Sequence, residues 1–397
     1  MQNLTAEKYN MYKDSCVEWI GKIPLDWKRV RLRFLCEIQT GDKDTINKVD
    51  DGDYPFYVRS PIVERINTYT FDGEAVLTAG DGVGAGKVFH YAIGKFDYHQ
   101  RVYNLHNFKE IYGKFLYYYL RENFYKEIEK SNAKSTVDSI RLPMLLDFPV
   151  VFPVKIQKQQ AIADYLDKKC GEIDKVVETE KSIIEKLKEY KQSIITEAVT
   201  KGLDKSVQLK DSGIEWIGKI PQHWKICRLK NYASICNGQD FKDVEDENGN
   251  IPVIGSGGEF SKAKECLYNG ESVLLGRKGT IDKPMYINGS FWTVDTMYYT
   301  RLKNITFGKY FYYLCKTINF DFYQNGSTLP SMTQRDLNSI QFPLPNLREQ
   351  QQIADYLDKK CGEIDKTIAD KEQLIEKFTE YKKSLIYECV TGKKEVA

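Results

Sequence analysis

The sequence predicts an α+β protein in which two globular α/β domains are separated by two long helices. The helices are expected to form an intramolecular antiparallel coiled coil, and the whole chain a pseudo-twofold tandem repeat. Three observations lead to this prediction. Residues 162–175 return without a change as residues 353–366, a second matched stretch precedes each copy, and a long proline-free segment with helical periodicity begins at each. A long identical repeat is rare by chance and indicates duplication.

The matched stretch near the start of each half supports the duplication. Residues 13–32 and 210–229 are identical at fourteen of twenty positions, including the run Glu-Trp-Ile-Gly-Lys-Ile-Pro. Between this stretch and the helical segment, the two interiors have about the same length but different sequences. The pattern indicates one shared frame that carries two different inserts.

Each interior has the pattern of a mixed α/β domain. In both copies a buried strand runs into a glycine-containing turn and a returning strand, and an aromatic-rich amphipathic helix follows. The predicted strands are residues 74–77 and 88–91 in the first copy and 271–275 and 285–287 in the second, and the predicted helices are residues 113–120 and 308–314.

Each long helix is predicted to begin just after a pair of prolines that end the interior. Residues 156–200 contain no proline, and their apolar positions alternate by four and three, as in a coiled coil. About 45 helical residues would extend roughly 65 Å. Because a lone polar helix of this length lacks a partner for its apolar stripe, the two helices are expected to pair. In a symmetric antiparallel pair, Glu180 and Lys371 would lie within about 11 Å of each other.

These elements divide the chain into four segments. The predicted boundaries are a first globular domain at residues 1–155, a first spacer helix at 156–205, a second globular domain at 206–346 and a second spacer helix at 347–397.

Composition narrows the class of protein. No apolar run approaches the ~20 residues that span a bilayer, and the N-terminus lacks the features of a signal peptide. Nine cysteines without a Cys-x-x-Cys pair indicate reduced thiols in a cytoplasmic protein, and the four histidines lack the spacing of metal ligands. The net charge of +2 argues neither for nor against nucleic acid.

The glycine-rich segment at residues 80–87 resembles a nucleotide-binding loop only superficially. The glycine expected six residues before Lys87 is replaced by Asp81, and Val88 stands where serine or threonine is required. A tight turn between two strands is the favoured interpretation. The matched turn at residues 276–281 carries Arg277, Lys278 and Thr280, which suit phosphate or base-edge contacts, although an ordinary solvated hairpin remains an equal alternative.

Further polar loops occupy matched places in the two copies but carry different side chains, as expected if one scaffold recognises two different targets. Each loop taken alone is equally compatible with turn chemistry. The candidate DNA-binding residues are Thr40, Lys43, Arg59, Ser60, Asp81, Lys87, Lys134 and Thr136 in the first copy, and Gln239, Lys242, Ser256, Arg277, Lys278, Thr280, Ser327 and Thr328 in the second.

Several motifs together resemble the DNA specificity subunit of type I restriction-modification systems. They are the Glu-Trp-Ile-Gly-Lys-Ile-Pro heads, the strand and turn at residues 275–280, the Gly-Ser-Thr-x-x-Ser-Met stretch at Gly326, and the Gln-Gln-x-Ile-Ala-x-Tyr-Leu-Asp helix start at Gln351 with its copy at Gln160. Each motif is moderately specific, whereas the duplicated set in this order is highly specific. The resemblance spans nearly the whole chain.

The resemblance implies that the two globular domains are target recognition domains, each of which recognises one half of a split sequence in double-stranded DNA. It implies that two modification subunits, which bind S-adenosylmethionine and methylate adenine, dock on the frame. It leaves open whether two restriction subunits, which hydrolyse ATP with Mg²⁺, also join. No catalytic residue, metal or cofactor is expected in this chain itself.

Two alternatives belong to other classes of protein. One is a self-contained restriction-modification enzyme, which would need a nuclease Pro-Asp motif or an amino-methyltransferase Asn/Asp-Pro-Pro-Tyr/Phe motif, and the sequence has neither. The other is a coiled-coil interaction scaffold that never contacts DNA, which the near-neutral charge permits.

Overall fold

A computed structural model describes residues 11–131, 139–320 and 330–396 of the chain. The chain divides into two compact units. The first unit comprises Met1–Glu180 together with Gln373–Ala397, and the second comprises Lys181–Glu372. Each long helix therefore contributes one part to each unit. The four segments predicted along the sequence remain a prediction.

The strands and helices follow the same order in both halves. The first half contains β1 (Tyr12–Asp14), β2 (Lys22–Pro24), β3 (Trp27–Arg31), β4 (Glu37–Thr40), β5 (Tyr54–Tyr57), β6 (Glu64–Ile66), β7 (Phe71–Ala79), β8 (Phe89–Tyr98), β9 (Val102–His106), α1 (Gly113–Asn123), α2 (Tyr125–Ser131), α3 (Leu142–Asp147), β10 (Pro149–Pro153) and the long helix α4 (Ile156–Lys201). The second half contains β11 (Leu209–Asp211), β12 (Lys219–Pro221), β13 (Lys225–Arg228), α5 (Leu229–Tyr232), β14 (Ala233–Asn237), β15 (Ile251–Gly255), β16 (Gly258–Ala263), β17 (Tyr268–Gly276), β18 (Met285–Thr293), β19 (Met297–Leu302), α6 (Gly308–Cys315), α7 (Gln334–Ser339), β20 (Gln341–Leu344) and the long helix α8 (Leu347–Val390).

Each unit contains a six-stranded sheet, and the two sheets have the same strand order. The order is β4-β9-β7-β8-β5-β6 in the first unit and β14-β19-β17-β18-β15-β16 in the second. Neighbouring strands are antiparallel, except that β5 runs parallel to β8 and β15 runs parallel to β18. The predicted buried strands lie in β7 and β17, and the returning strands begin β8 and β18. The α+β class and the tandem duplication are therefore confirmed.

The core of each unit lies between one face of its sheet and the helices. Helix α1 packs on β7 and β8, and α6 packs on β17 and β18, so the predicted amphipathic helices are confirmed. Trp27 and Trp224 from the matched heads are fully buried in the two cores. The matched tryptophans therefore occupy equivalent core positions in the two units.

Both long helices begin where the sequence predicts and pack antiparallel within each unit. In the first unit Lys394 lies over the ring of Tyr165, with 5.6 Å between the Nζ and the ring centroid. Nine residues further along α4, Asp174 pairs with Lys382, so α8 runs in the opposite direction. Leu166 and Leu385 lie in one hydrophobic cluster with the core of the unit, as a coiled-coil seam requires.

Two lysines that interrupt the apolar seam make equivalent ion pairs. The Lys382 Nζ donates to both carboxylate oxygens of Asp174 at 2.6 Å, within the first unit. The Lys191 Nζ donates to both oxygens of Asp365 at 2.5 and 2.6 Å, within the second. The lysine side chains are only 15% and 19% exposed, so their stems pack along the helices while the charges are neutralised.

The sequence also predicts that Glu180 and Lys371 lie close together at the centre of the two long helices. Glu180 belongs to the first unit and Lys371 to the second. That register across the centre of the two helices stays a prediction.

Candidate nucleic-acid interface

A buried glutamine at the start of each long helix ties the helix to its globular domain. The Gln159 side chain is fully buried, and its Oε1 accepts a hydrogen bond from the Tyr112 backbone N–H at 2.7 Å. Its Nε2 donates to the carbonyl oxygens of Pro153 and Glu110 at 2.9 and 3.1 Å. The matching bonds of Gln350 join Phe307, Pro345 and Ile305 at 2.8, 3.0 and 2.9 Å.

A second repeated network lies about two helical turns further along each long helix. Asp167 in the identical repeat forms an ion pair with Lys114 and accepts a hydrogen bond from the Tyr118 hydroxyl at 2.7 Å. Burial, reinforced by Asp167, raises the pKa of Tyr118 far above its ordinary value, so this hydroxyl remains a neutral donor. The equivalent network of the second unit joins Asp358, Lys309 and Tyr313. The identical residues thus hold a frame, and the non-identical loops lie elsewhere on it.

In the first unit, four loops meet at one end of the sheet. They are residues 40–44, 57–60, 80–84 and 99–101, together called the first loop cluster. The Gly80 N–H donates to the Arg101 carbonyl oxygen at 2.7 Å, and the Ile140 N–H donates to the Gly80 carbonyl oxygen at 2.7 Å. A Cβ at Gly84 would stand 2.4 Å from the carbonyl oxygen of Arg59. The glycines therefore let the turn between β7 and β8 approach its neighbours closely.

A charged group lies within this cluster. Arg59 donates from its Nη1 to the Asp81 Oδ1 at 2.9 Å, and the Nη1 of Arg101 lies 3.7 Å from the Asp81 Oδ2. Beside it, the His99 Nε2 lies 3.8 Å from the Asp44 carboxylate. Burial, together with the positive charge of Arg59, lowers the pKa of His99 and favours the neutral ring.

The other predicted residues of the first copy have mixed placements. Thr40 ends β4 opposite Tyr103, and the Lys43 carbonyl oxygen accepts from the Gln100 N–H at 2.8 Å, which puts both residues at the first loop cluster. The Ser60 hydroxyl accepts from the backbone N–H of Ile62 at 3.1 Å, as in an ordinary turn.

Lys87 lies at a different place from the rest. It lines a cavity of about 620 Å³ beside the long helices, together with Arg121, Glu122, Lys382 and Lys383. Lys134 and Thr136 lie outside the described residues, as do Ser327 and Thr328 of the second copy.

The second unit brings equivalent loops together. Residues 237–242, 254–257, 276–281, 293–297 and 330–334 form the second loop cluster. The Arg277 N–H donates to the Thr296 carbonyl oxygen at 2.8 Å, and the Met332 N–H donates to the Arg277 carbonyl oxygen at 3.0 Å. These two bonds match those made by Gly80 in the first unit. Lys278 forms an isolated backbone β-bridge with Ser331, as Asp81 does with Ser139. Lys278 and Asp81 therefore occupy equivalent positions in the two units.

The remaining predicted residues of the second copy also lie in this cluster. The Gln239 N–H donates to the Thr293 carbonyl oxygen at 2.9 Å, and Ser256 follows β15 in the adjoining turn. Thr280 packs so closely on Gly276 that a Cβ there would stand 2.4 Å from the Thr280 carbonyl oxygen. Lys242 is held by a bond from its N–H to the Asp240 Oδ1 at 3.1 Å.

Some residues of the two loop clusters are not among the DNA-binding residues predicted from the sequence. Arg101 and His99 lie in the short turn between β8 and β9, and the matched turn of the second unit supplies Asp295, whose carbonyl oxygen accepts from the Arg277 Nη1 at 3.2 Å. Gln334, at the start of α7, donates to the Asn237 Oδ1 at 3.0 Å. The returning strands predicted at residues 88–91 and 285–287 end well before these two turns, so no predicted element marked them.

Over residues 11–131, 139–320 and 330–396, no three His, Cys, Asp or Glu side chains come together in a way that could hold a metal ion. Among the helices that the structure describes, none has the length and apolar character needed to cross a membrane.

Sequence comparison decides the family. The family described as "Type I restriction modification DNA specificity domain" matches residues 24–189 and again residues 221–377. This chain belongs to that family. The two matches coincide with the two halves that carry the loop clusters, so the duplication seen in the sequence is a duplication of this domain.

Full-length relatives agree with the family. The chain is 28% identical to the "Type I restriction enzyme EcoDI specificity subunit" of Escherichia coli, over 84% of this chain and 81% of the relative. It is 25% identical to the "Type I restriction enzyme MjaVIII specificity subunit" of Methanocaldococcus jannaschii, over 94% of each.

Solved structures share the fold. A structure titled "Structural basis underlying complex assembly and conformational transition of the type I R-M system" gives a TM-score of 0.71 at 14% identity, covering 93% of this chain and 98% of the other. The HsdS subunit from Thermoanaerobacter tengcongensis gives a TM-score of 0.51 at 14% identity over the same shares.

Proposed function

We propose that this chain is the DNA specificity subunit of a type I restriction-modification complex. Each DNA specificity domain recognises one half of a bipartite target in double-stranded DNA, and the chain directs the modification subunits to it. The observation that carries the proposal is the pair of loop clusters: equal in position, built on the same sheet topology, and different in side chains. Two recognition domains with different side chains on one duplicated scaffold would recognise a non-palindromic DNA target in two parts.

The DNA contacts are proposed to come from the two loop clusters. In the second cluster Arg277 and Lys278 supply donors for base edges and phosphates. In the first cluster Arg59, Lys43 and Thr40 have that role. Phosphate contacts by these cations would make binding strongly salt-dependent.

The catalytic work is assigned to partner subunits. Two modification subunits would bind S-adenosylmethionine and methylate adenine, and restriction subunits using ATP and Mg²⁺ would join them in the cytoplasm. In this proposal the chain supplies specificity and holds no cofactor of its own. The long helices act as the spacer between the half-sites and as the frame on which the partners dock.

Selection from a random pool tests the proposal. The chain is purified together with its modification subunits, mixed with duplexes that carry a randomised region, and the bound DNA is separated by gel shift and sequenced. Two short conserved blocks separated by a fixed unspecified gap are expected. A scaffold that does not contact DNA would enrich no sequence, and that outcome would reject the proposal. Methyl transfer by the purified chain alone would instead identify a self-contained enzyme.

A further inference from the structure

We infer that Arg59, Asp81 and Arg101 form a base-recognition group for an A·T pair in the half-site of the first unit, with Asp81 as the central acceptor. The inference rests on the proposed function, because it names the chemistry that the first loop cluster recognises.

The three side chains are accessible, and stability does not account for them. Their exposed fractions are 46% for Arg59, 28% for Asp81 and 65% for Arg101. Ion pairs at this exposure contribute little to folding. Asp81 lies between the two guanidinium groups, 2.9 Å from one and 3.7 Å from the other, and each arginine contacts it through Nη1. Since a guanidinium carries five N–H donors, each arginine keeps donors for another partner.

The backbone holds the group in place before any ligand binds. The Arg101 N–H donates to the His99 Nδ1 at 2.9 Å, and the Arg101 carbonyl oxygen accepts from the Gly80 N–H next to Asp81. On the other side Gly84 packs directly against the carbonyl oxygen of Arg59. The glycine-rich turn therefore holds the backbone of both arginines next to Asp81, and the ion pairs orient the guanidinium groups toward the carboxylate. Such preorganisation reduces the entropy lost on binding.

The order of donors and acceptors selects the base pair. The group presents a donor, an acceptor and a donor in sequence. In the major groove an A·T pair presents the adenine N7 acceptor, the adenine N6 amino donor and the thymine O4 acceptor, which is the complementary order. A G·C pair presents two acceptors followed by a donor, so one arginine would face no acceptor. In the second unit Lys278 stands at the position of Asp81, so a cation replaces this carboxylate there.

The test uses the full chain with its modification subunits and maps the methylated sites in DNA. Asp81→Ala is expected to lower the preference for A·T at one position of one half-site by roughly tenfold or more. The other half-site stays unchanged. Because a negative charge is removed beside two arginines, binding to non-specific DNA is expected to strengthen. Arg277→Ala should alter the half-site that Asp81→Ala leaves intact.

A matched control lies in the same unit. Asp147 also contacts two arginines, Arg31 at 3.3 Å and Arg33, but it ends α3 away from the first loop cluster. Asp147→Ala removes the same charge from the same kind of group and should leave both half-sites unchanged. Thermal unfolding of Asp81→Ala should match that of the parent chain, which separates recognition from folding.

The outcomes are distinguishable. If the parent complex selects a bipartite target but Asp81→Ala leaves both half-sites unchanged, the inference fails and the proposed function stands. A change at a G·C pair, or an equal change in Asp147→Ala, also overturns it. If the parent complex selects no sequence, the proposed function itself fails.

Discussion

Replacing the buried glutamine at the start of α4 tests how the long helix is joined to its domain. In Gln159→Ala, the Tyr112 N–H and the carbonyl oxygens of Pro153 and Glu110 lose their partner inside the protein. A buried polar group left without a partner costs about 1–3 kcal/mol. Since three groups lose a partner and some gain water, we expect a loss of about 3–5 kcal/mol in the first unit.

The neighbouring residue provides a matched control. Gln160 has the same side chain one position along but is exposed to solvent. Gln160→Ala should therefore stay within about 0.5 kcal/mol of the parent chain. The pair of variants compares the same chemical change at a buried and at an exposed site on the same helical turn.

Amide hydrogen exchange measures the effect unit by unit, which a single melting curve does not, because two compact units need not unfold together. In Gln159→Ala, the peptide that contains Tyr112 should exchange faster, while the peptide that contains Phe307 keeps its protection. Gln350→Ala should give the reverse pattern. Equal exchange in Gln159→Ala and Gln160→Ala, or acceleration in both units at once, would refute the reasoning.

Three further predictions concern recognition, spacing and pH. Arg277→Ala should cost about 1–3 kcal/mol of DNA-binding free energy and relax the sequence preference of one half-site. Lys278→Ala should weaken binding to all sequences and lower the slope of log affinity against log salt concentration by about 1, as titrations at several salt concentrations would measure. A change confined to the melting temperature would contradict both. Deleting seven residues from each long helix shortens each helix by about 10 Å. The gap between the half-sites should then shrink by about 3 base pairs while both half-sites persist, as methylation mapping would detect. An unchanged gap would exclude a spacer role. Burial, opposed by Lys126 and Lys383, raises the pKa of Glu122 to about 7 from an ordinary value of 4.5. The folded state therefore binds the proton more tightly and loses stability as pH rises from about 4.5 to 7. Glu122→Gln should stabilise the first unit at pH 8 by about 1 kcal/mol, a figure reduced for solvent screening, and by nothing at pH 4. Denaturant unfolding at the two pH values checks this, and an equal effect at both would contradict it.

The duplicated frame could be predicted from the sequence because its residues are constrained twice. The heads, the strand and turn order, and the starts of α4 and α8 all follow from matched positions and proline placement. Matched positions and prolines can be recognised in the sequence without knowledge of distant contacts. Lys191 and Lys382 interrupt the apolar alternation of the long helices, but their partners Asp365 and Asp174 lie 174 and 208 residues away in the sequence.

The residues that complete the frame could not be predicted, because their roles depend on tertiary contacts. Gln159 and Gln350 have no periodicity or spacing that marks them as fully buried, and their partners Tyr112 and Phe307 lie 47 and 43 residues earlier. Likewise, the C-terminal part of α8 belongs to the compact unit formed by the first half of the chain. A contact between the two ends of a sequence leaves no local signal.

The loop clusters are an intermediate case. Their positions could be predicted, since each loop follows a strand, but their membership could not. The turn that carries Arg101 is short and lacks any motif, although it places a guanidinium 3.7 Å from Asp81. Lys87, in contrast, has the expected charge beside a glycine turn but lines a cavity next to the helices. Whether Arg101 and Lys87 belong to the first loop cluster depends on the direction of their side chains, which the composition of a loop does not determine.

Sequencing that detects N6-methyladenine in DNA modified by the assembled complex tests the central claim most directly. We expect one bipartite motif with two different half-sites, a fixed gap, and a methylated adenine in each half. A continuous or palindromic motif, or methylation without any motif, would contradict two unlike readers carried on one duplicated frame.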